Sequence, residues 1–252
     1  KFDFTDNSAV VTGGGTGIGR YIVKAFADAG AKVAFTSRSK KSIRETLKLV
    51  SVSKNHKGYN IDLSKKGNVS KFYNKVKKDF KHIDILVNNI GHTLNKKNPF
   101  SKIENWEKVM RLNFFTSVEM NNHFIGDMKK KNWGRIINYA SLASRRALPS
   151  SISYGASKGG IEQLTRAMAE AWSKYGINTN AIAPGFFPTE LTVPVFNDTE
   201  RTKRNAQQTC IGRNGKLEDL DGPLLFLCSR SSDYVTGQLL FVDGGFTAKW
   251  RL

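Results

Sequence analysis

Residues 8–30 read SAVVTGGGTGIGRYIVKAFADAG: a short apolar run, a cluster of glycines, and a segment whose apolar residues recur at helical spacing. The order is strand, glycine loop, helix. Glycines admit positive φ and let another group approach the backbone closely, while the amino end of a helix presents unpaired N–H groups and the positive end of its dipole. Gly13, Gly15, Thr16, Gly17, Ile18 and Gly19 therefore form a candidate cradle for a pyrophosphate. The spacing is Gly13, three residues, Gly17, one residue, Gly19, which differs from the common GxGxxG fingerprint. Taken alone, such a loop also describes a tight turn.

Strand-like runs at SAVVT, KVAFT, YNI, IDILVN, RIINYA, NTNAIA and LLFVDG alternate with helical stretches along the chain. Alternation of this kind predicts an α/β fold with a seven-stranded, parallel, doubly wound sheet flanked by helices. At 252 residues the chain suits one domain with an ample core, and no repeat, linker or composition break marks a second. The stretch from about 186 to 215 is polar and without clean period, and is expected to be a lid over a substrate. The second strand, KVAFTSRS, ends at Ser37, where a carboxylate would bind an adenosine ribose, and Arg38 follows. With a guanidinium there and no acid, a 2′-phosphate is favoured, hence NADP(H) over NAD(H). The competing reading is a solvated basic turn made by Arg38, Lys40 and Lys41.

A second feature concerns proton transfer. Tyr154 and Lys158 fall four residues apart in YGASKGGIEQLTRAMAEAW, whose Ile161, Leu164, Ala167, Met168 and Ala171 keep a helical period, so both lie on one helix face. Acid–base work by a phenol near pH 7 requires moving its pKa by about 3 units, roughly 4 kcal/mol. An ammonium close by supplies part of that. Ser141 follows the strand-like GRIINYA and so stands at a strand's carboxyl end, where α/β sheets place ligands. Each element alone has a bland reading, a solvated Tyr–Lys pair or a serine in a turn.

In this order and spacing the motifs resemble the short-chain dehydrogenases/reductases, almost from end to end. TGGGTGIG resembles the family's TGxxxGxG loop, and NNIG at Asn88–Gly91 its NNAG, with isoleucine for alanine. Ser141, Tyr154, Lys158 and Asn113 of RLNFF match its catalytic tetrad. The resemblance implies a Rossmann-type fold and a nicotinamide coenzyme. It implies that Asp62, with Leu63 beside it, contacts the adenine, that Asn89 and Gly91 border the coenzyme, and that Pro184, Gly185 and Thr189 of PGFFPT hold the carboxamide. Tyr154 would pass a proton to a carbonyl or take one from an alcohol, and Ser141 would orient the substrate oxygen. Lys158 would lower the tyrosine pKa and hold the nicotinamide ribose, and Asn113 would hold a water linking the lysine to solvent. A homotetramer built through the helix of Tyr154 is implied as well.

Forty Lys and Arg against 21 Asp and Glu give a net charge of +19. The excess lies in short clusters such as Lys65–Lys66, Lys77–Lys78 and Lys129–Lys131, read either as solvated helix faces or as a field that steers an anionic substrate or partner. Nothing resembles a nucleic-acid module, and no specific nucleic acid is expected. Cys210 and Cys228 form no CxxC pair and the four histidines are scattered, so no metal site is expected; His92, just past NNIG, is assigned a passive role. No apolar stretch approaches the length of a membrane span and KFDFTDNS lacks a signal-peptide core, so a cytoplasmic protein is expected.

Three functions fit. The first is oxidation or reduction of a small polar, anionic carbonyl or alcohol such as a sugar acid: Arg145 and Arg146 are candidates to meet its carboxylate, and PGFFPTEL resembles gluconate-dehydrogenase-like members. The second is a 3-oxoacyl-[acyl-carrier-protein] reductase, with Lys129–Lys131 expected near the site's rim to dock an acidic carrier. The third is a scaffold that keeps the fold without turnover, disfavoured by the intact tetrad.

Overall fold

The computed structural model describes residues 2–50, 55–93, 102–190 and 192–250. In the interior of its sheet lies β1 (Ser8–Val11), buried along its whole length. A strand covered on both faces must be apolar throughout, which is why SAVV runs without alternation. Around it lie β2 (Lys32–Ser37), β3 (Lys57–Asn60), β4 (Ile85–Asn88), β5 (Gly134–Tyr139), β6 (Ile177–Pro184) and β7 (Leu239–Val242). Their order is β3-β2-β1-β4-β5-β6-β7, and every pairing is parallel. This is the seven-stranded doubly wound sheet expected.

Two helical layers cover the sheet, and strand alternation assigns residues to them. Val11, Val33, Phe35, Val87 and Ile137 pack on one side with α1 (Gly17–Asp28), α2 (Lys40–Leu47) and α9 (Asp221–Cys228). Val10, Ala34, Leu86 and Ile136 pack on the other with α3 (Asn68–Asp79), α5 (Thr116–Lys131) and α6 (Ile152–Trp172). Between α4 (Ile103–Met110) and α5, residues Arg111–Phe115 form a π turn. The extra residue per turn rotates Asn113 into the interior, where it is 1% exposed. Small residues bring α6 close to its neighbours: a Cβ on Gly160 would lie 3.1 Å from the Phe114 ring.

Strand order reverses between β1 and β4, opening a crevice at their carboxyl ends. The loops after β1, β2, β3, β4, β5 and β6 carry Gly13–Gly19, Arg38, Asp62, Asn89–Gly91, Ser141 and Gly185 respectively, so the candidate site residues converge on one edge. Lys129–Lys131 do not. They end α5 just before β5, at the opposite edge of the sheet, where Lys131 bonds the buried Asp84 at 2.6 Å and Lys129 lies 4.6 Å over the Tyr175 ring. Their expected position at the site's rim is thereby corrected.

The 186–215 stretch also differs from its expectation as an irregular segment. It contains α7 (Val193–Phe196) and α8 (Thr199–Gln207), the latter capped by Asp198, whose carboxylate accepts from the Arg201 N–H at 3.0 Å. The period was illegible because both helices are short and only Asn205 of α8 is buried. Among the described helices none is long and apolar enough to cross a membrane.

Candidate active site

The glycine loop is held from below by side chains that engage its backbone. Gly13 donates to the Thr36 hydroxyl at 3.0 Å, and Asn89 donates through Nδ2 to the Thr12 carbonyl at 3.0 Å. The Thr12 hydroxyl accepts from the N–H groups of Asn89 and Ile90, at 3.0 and 3.1 Å, tying the end of β4 to the end of β1. Asn89 thus braces the cradle. The glycine requirement is steric at Gly19, where a Cβ would lie 2.1 Å from the Gly13 carbonyl oxygen, and conformational at Gly17, with φ +52°. Gly15 approaches Ser37 so closely that a Cβ would sit 2.4 Å from its Oγ.

Thr16 caps α1 without a side-chain bond, leaving the first-turn N–H groups to other partners. One partner is present: Gly17 N–H donates to Glu190 Oε2 at 2.7 Å, and Arg20 Nη1 lies 3.4 Å from Glu190 Oε1. Arg20 also donates to the Gly15 carbonyl, at 3.0 and 2.6 Å, and pairs with Glu45 at 2.8 Å. A carboxylate resting on this helix end is direct sign that the cradle accepts an anion, so the loop fits a coenzyme pyrophosphate. Neither Arg20 nor Glu190 was singled out from sequence. For Arg20 a signal existed, a cation one residue past Gly19; Glu190 reaches the loop from 173 residues away and has none.

Arg38 is exposed at the tip of β2 and no carboxylate stands at Ser37. Asp62 is partly buried, which favours its neutral form, yet the Ser64 hydroxyl and N–H, at 2.7 and 3.0 Å, together with Arg38 hold it below its ordinary pKa. Leu63 has a fully buried side chain in the core, so it can meet a ligand only through its backbone.

Ser141, Tyr154 and Lys158, the residues expected to transfer a proton, come together at the end of β5 and the start of α6. Ser141 opens a short turn, accepting from Ala143 N–H at 3.1 Å, and its hydroxyl also reaches the Tyr154 phenol. Lys158 lies one helical turn from Tyr154, with Nζ 5.8 Å from the ring centroid, and is 3% exposed. Nζ donates to the Tyr139 carbonyl at 2.6 Å, and burial lowers its pKa to about 8. The phenol itself departs from expectation. Burial pushes its pKa up, opposed only by the Ser141 hydrogen bond, whereas the lysine was expected to bring it down. The reason is geometric: desolvation of the phenol is the larger effect, and the ammonium is engaged by Tyr139 rather than by the tyrosine oxygen.

Asn113 holds this assembly to the end of β4. Its Oδ1 accepts from His92 N–H at 2.9 Å, while Nδ2 donates to the His92 carbonyl and to Ser157 Oγ, both at 3.1 Å. Ser157 in turn donates to the Tyr154 carbonyl at 2.7 Å. Both polar groups of the Asn113 side chain thus bond protein and tie the loop after β4 to α6. Gly91 is needed nearby, since a Cβ there would lie 3.2 Å from Lys158 Nζ.

Pro184 ends β6, Gly185 packs on Asp243, and Thr189 lies against Gly17, with its Cβ 3.2 Å from where a Gly17 Cβ would be. The two arginines past Ser141 separate. Arg145 forks onto the buried Glu162, at 3.1 and 2.7 Å, and stacks over Phe241, so it is a scaffold residue and not the substrate contact considered from sequence. Arg146 lies 5.7 Å over Phe246 and borders a cavity of about 350 Å³ together with Leu148 and Ile152.

A glycine-loop cradle and a Ser–Tyr–Lys cluster at the switch point of a parallel sheet define a dinucleotide-binding oxidoreductase. The family model described as Enoyl-(Acyl carrier protein) reductase matches residues 13–247. The 2-dehydro-3-deoxy-D-gluconate 5-dehydrogenase of Bacillus subtilis (strain 168) is 36% identical over 253 residues, covering 98% of this chain and 97% of its own. The NAD-dependent glycerol dehydrogenase of Listeria innocua is 35% identical, with 98% and 96% covered. The crystal structure of a gluconate 5-dehydrogenase from Burkholderia cenocepacia J2315 in complex with NADP and tartrate superposes with a TM-score of 0.91 at 31% identity, covering 99% of this chain and 98% of that one. The chain belongs to the short-chain dehydrogenase/reductase family and is an oxidoreductase acting on CH–OH groups.

Proposed function

We propose that the protein is an NADP(H)-dependent oxidoreductase that interconverts a ketone and a secondary alcohol on a small anionic substrate, a sugar acid being the best fit. The observation that carries the reading is the convergence of the Ser141 hydroxyl, the Tyr154 phenol and the buried Lys158 beside an anion-accepting glycine loop. Arg38 at the tip of β2, with no acid at Ser37, supports the phosphorylated coenzyme. Gluconate-type relatives and Arg146 beside the Ser141 turn support an anionic sugar derivative.

The chemistry a nicotinamide coenzyme would supply here is hydride transfer to the carbonyl carbon in the direction of reduction. Ser141 donates a hydrogen bond to the carbonyl oxygen and Tyr154 delivers the proton that turns the developing alkoxide into a hydroxyl; oxidation reverses both transfers. Lys158, with a pKa near 8, is mostly protonated at pH 7 and keeps its ammonium 5.8 Å from the centroid of the phenol ring. The Tyr139 carbonyl fixes that charge in place.

A screen of purified protein against keto sugar acids, hydroxy acids and an acetoacetyl thioester, read by absorbance of the reduced coenzyme, tests the substrate. Turnover of a sugar acid with NADPH is expected, and turnover of the thioester alone overturns the assignment. For the coenzyme, Arg38→Ala should weaken NADPH binding by about 1.5–3 kcal/mol and leave NADH unchanged. Equal loss for both contradicts the 2′-phosphate reading.

A further inference from the structure

The carboxylate on the glycine loop belongs to the substrate side of the molecule. Glu190 lies in the segment that follows β6, and the turn that aims it is closely built: Thr189 N–H donates to Thr192 Oγ1 at 2.8 Å, and that hydroxyl donates to the Phe187 carbonyl at 2.7 Å. Phe187 is buried in the core at 4% exposure, so the turn has a fixed base. From it Glu190 reaches Gly17 N–H at 2.7 Å and Arg20 at 3.4 Å, with Thr189 seated on the Gly17 backbone. The acid is about half exposed, with a side-chain exposure of 53%, and so meets no steric bar to leaving. A backbone N–H at a helix amino end and a guanidinium are the partners a diphosphate oxygen would take.

We propose that Glu190 is an internal anion that fills the coenzyme cradle, and that coenzyme entry exchanges its carboxylate for a diphosphate oxygen on Gly17 N–H and Arg20. Arg20 thereby becomes a coenzyme ligand, and the segment beginning at Thr189 is released from the loop when the coenzyme arrives. Binding of coenzyme and repositioning of the segment over the substrate cleft are then one equilibrium. Only the fraction of molecules with Glu190 displaced is competent to bind, so the contact lowers the apparent affinity. The inference rests on the reading of the site as a coenzyme site.

Titration calorimetry with NADPH and, separately, with inorganic pyrophosphate tests it on the wild-type protein, Glu190→Gln and Glu190→Ala. Removing the carboxylate should tighten binding of both probes by about five- to tenfold, a hydrogen bond to an ionised partner being lost from the free state only. Adding Arg20→Gln to Glu190→Ala should abolish the gain; a gain that persists removes Arg20 from the site and overturns that half of the proposal. Equal or weaker NADPH binding in the Glu190 variants overturns the exchange while the coenzyme reading stands. Tighter pyrophosphate binding with no NADPH binding in any variant upholds the exchange as an anion site and overturns the coenzyme reading. No binding of either probe overturns both.

Discussion

The two halves of the site are held by opposite means. The cradle between β1 and α1 is made of backbone: its glycines are fixed by what a Cβ would strike, and its polar partners, Thr12, Thr36 and Asn89, point away from the ligand side to grip the loop. The catalytic wall between β5 and α6 is made of side chains, with an ammonium buried beneath a phenol and an asparagine turned inward by a π turn. A backbone cradle costs the fold little, because unpaired N–H groups at a helix end face solvent in any case. A buried lysine is costly to the fold, and the role proposed for Lys158 is a reason to bear that cost. Binding and chemistry should therefore separate under mutation.

The strongest test of that separation is Tyr154→Phe. Loss of the proton donor should lower kcat by about 10²–10⁴-fold, while NADPH binding measured by titration stays within about twofold of wild type, less than the energy of one hydrogen bond. If coenzyme affinity collapses together with turnover, cradle and wall are one unit and the comparison breaks.

Stability gives the next largest effect. Lys158→Met should stabilise the protein at pH 7 by at most roughly 3 kcal/mol, since burial lowers the lysine pKa from 10.5 to about 8, less the cost of leaving the Tyr139 carbonyl without this donor. Below pH 8 the lysine is charged in both the folded and the unfolded chain, and the full penalty weighs on the fold. Between about 8 and 10.5 the unfolded chain holds the proton that the folded chain has released, so wild-type stability rises with pH through this window. The advantage of the methionine variant should shrink accordingly and vanish above about pH 10.5 in denaturant titrations. An advantage independent of pH would mean that Lys158 is not desolvated in the fold.

The same contrast explains what could be read from the chain. Glycine requirements, strand alternation and helical period are local, so the SAVV strand, the TGGGTGIG loop, α6 and the parallel, doubly wound sheet were legible, as were the places of Ser141 after a strand and of Tyr154 and Lys158 on one helix. The direction of the tyrosine pKa was not, because burial of the phenol, which raises it against the Ser141 hydrogen bond, is decided by tertiary packing. The π turn at Asn113 escaped because RLNFF has no glycine or proline to announce a break. Lys129–Lys131 were misplaced for a topological reason: in a parallel sheet each helix runs back to the amino-terminal edge, so basic residues at a helix's last turn lie far from the site. Glu190 and Gly17 meet only through tertiary structure.

Arg145 and Arg146 sharpen the boundary of the catalytic side, and the expected effects are the smallest. Sequence offers them as equivalents, but the structure does not. Arg145 neutralises Glu162, a carboxylate with 9% side-chain exposure that Arg166 also contacts, so Arg145→Ala leaves one partner in place. Its cost should be at most about 1 kcal/mol of stability, because the guanidinium end is more than half exposed and screened. Turnover should be almost unaffected. Arg146 has an aromatic face rather than a carboxylate beneath it and keeps its charge available at the cavity next to the Ser141 turn. Arg146→Ala should raise KM for a carboxylate-bearing substrate by about tenfold, roughly 1.4 kcal/mol, with kcat little changed, as removal of uniform binding requires. For an uncharged analogue the same variant should show no change in KM. The reverse pattern, a KM effect at Arg145 and none at Arg146, would assign the anion contact to the other arginine that borders the same cavity.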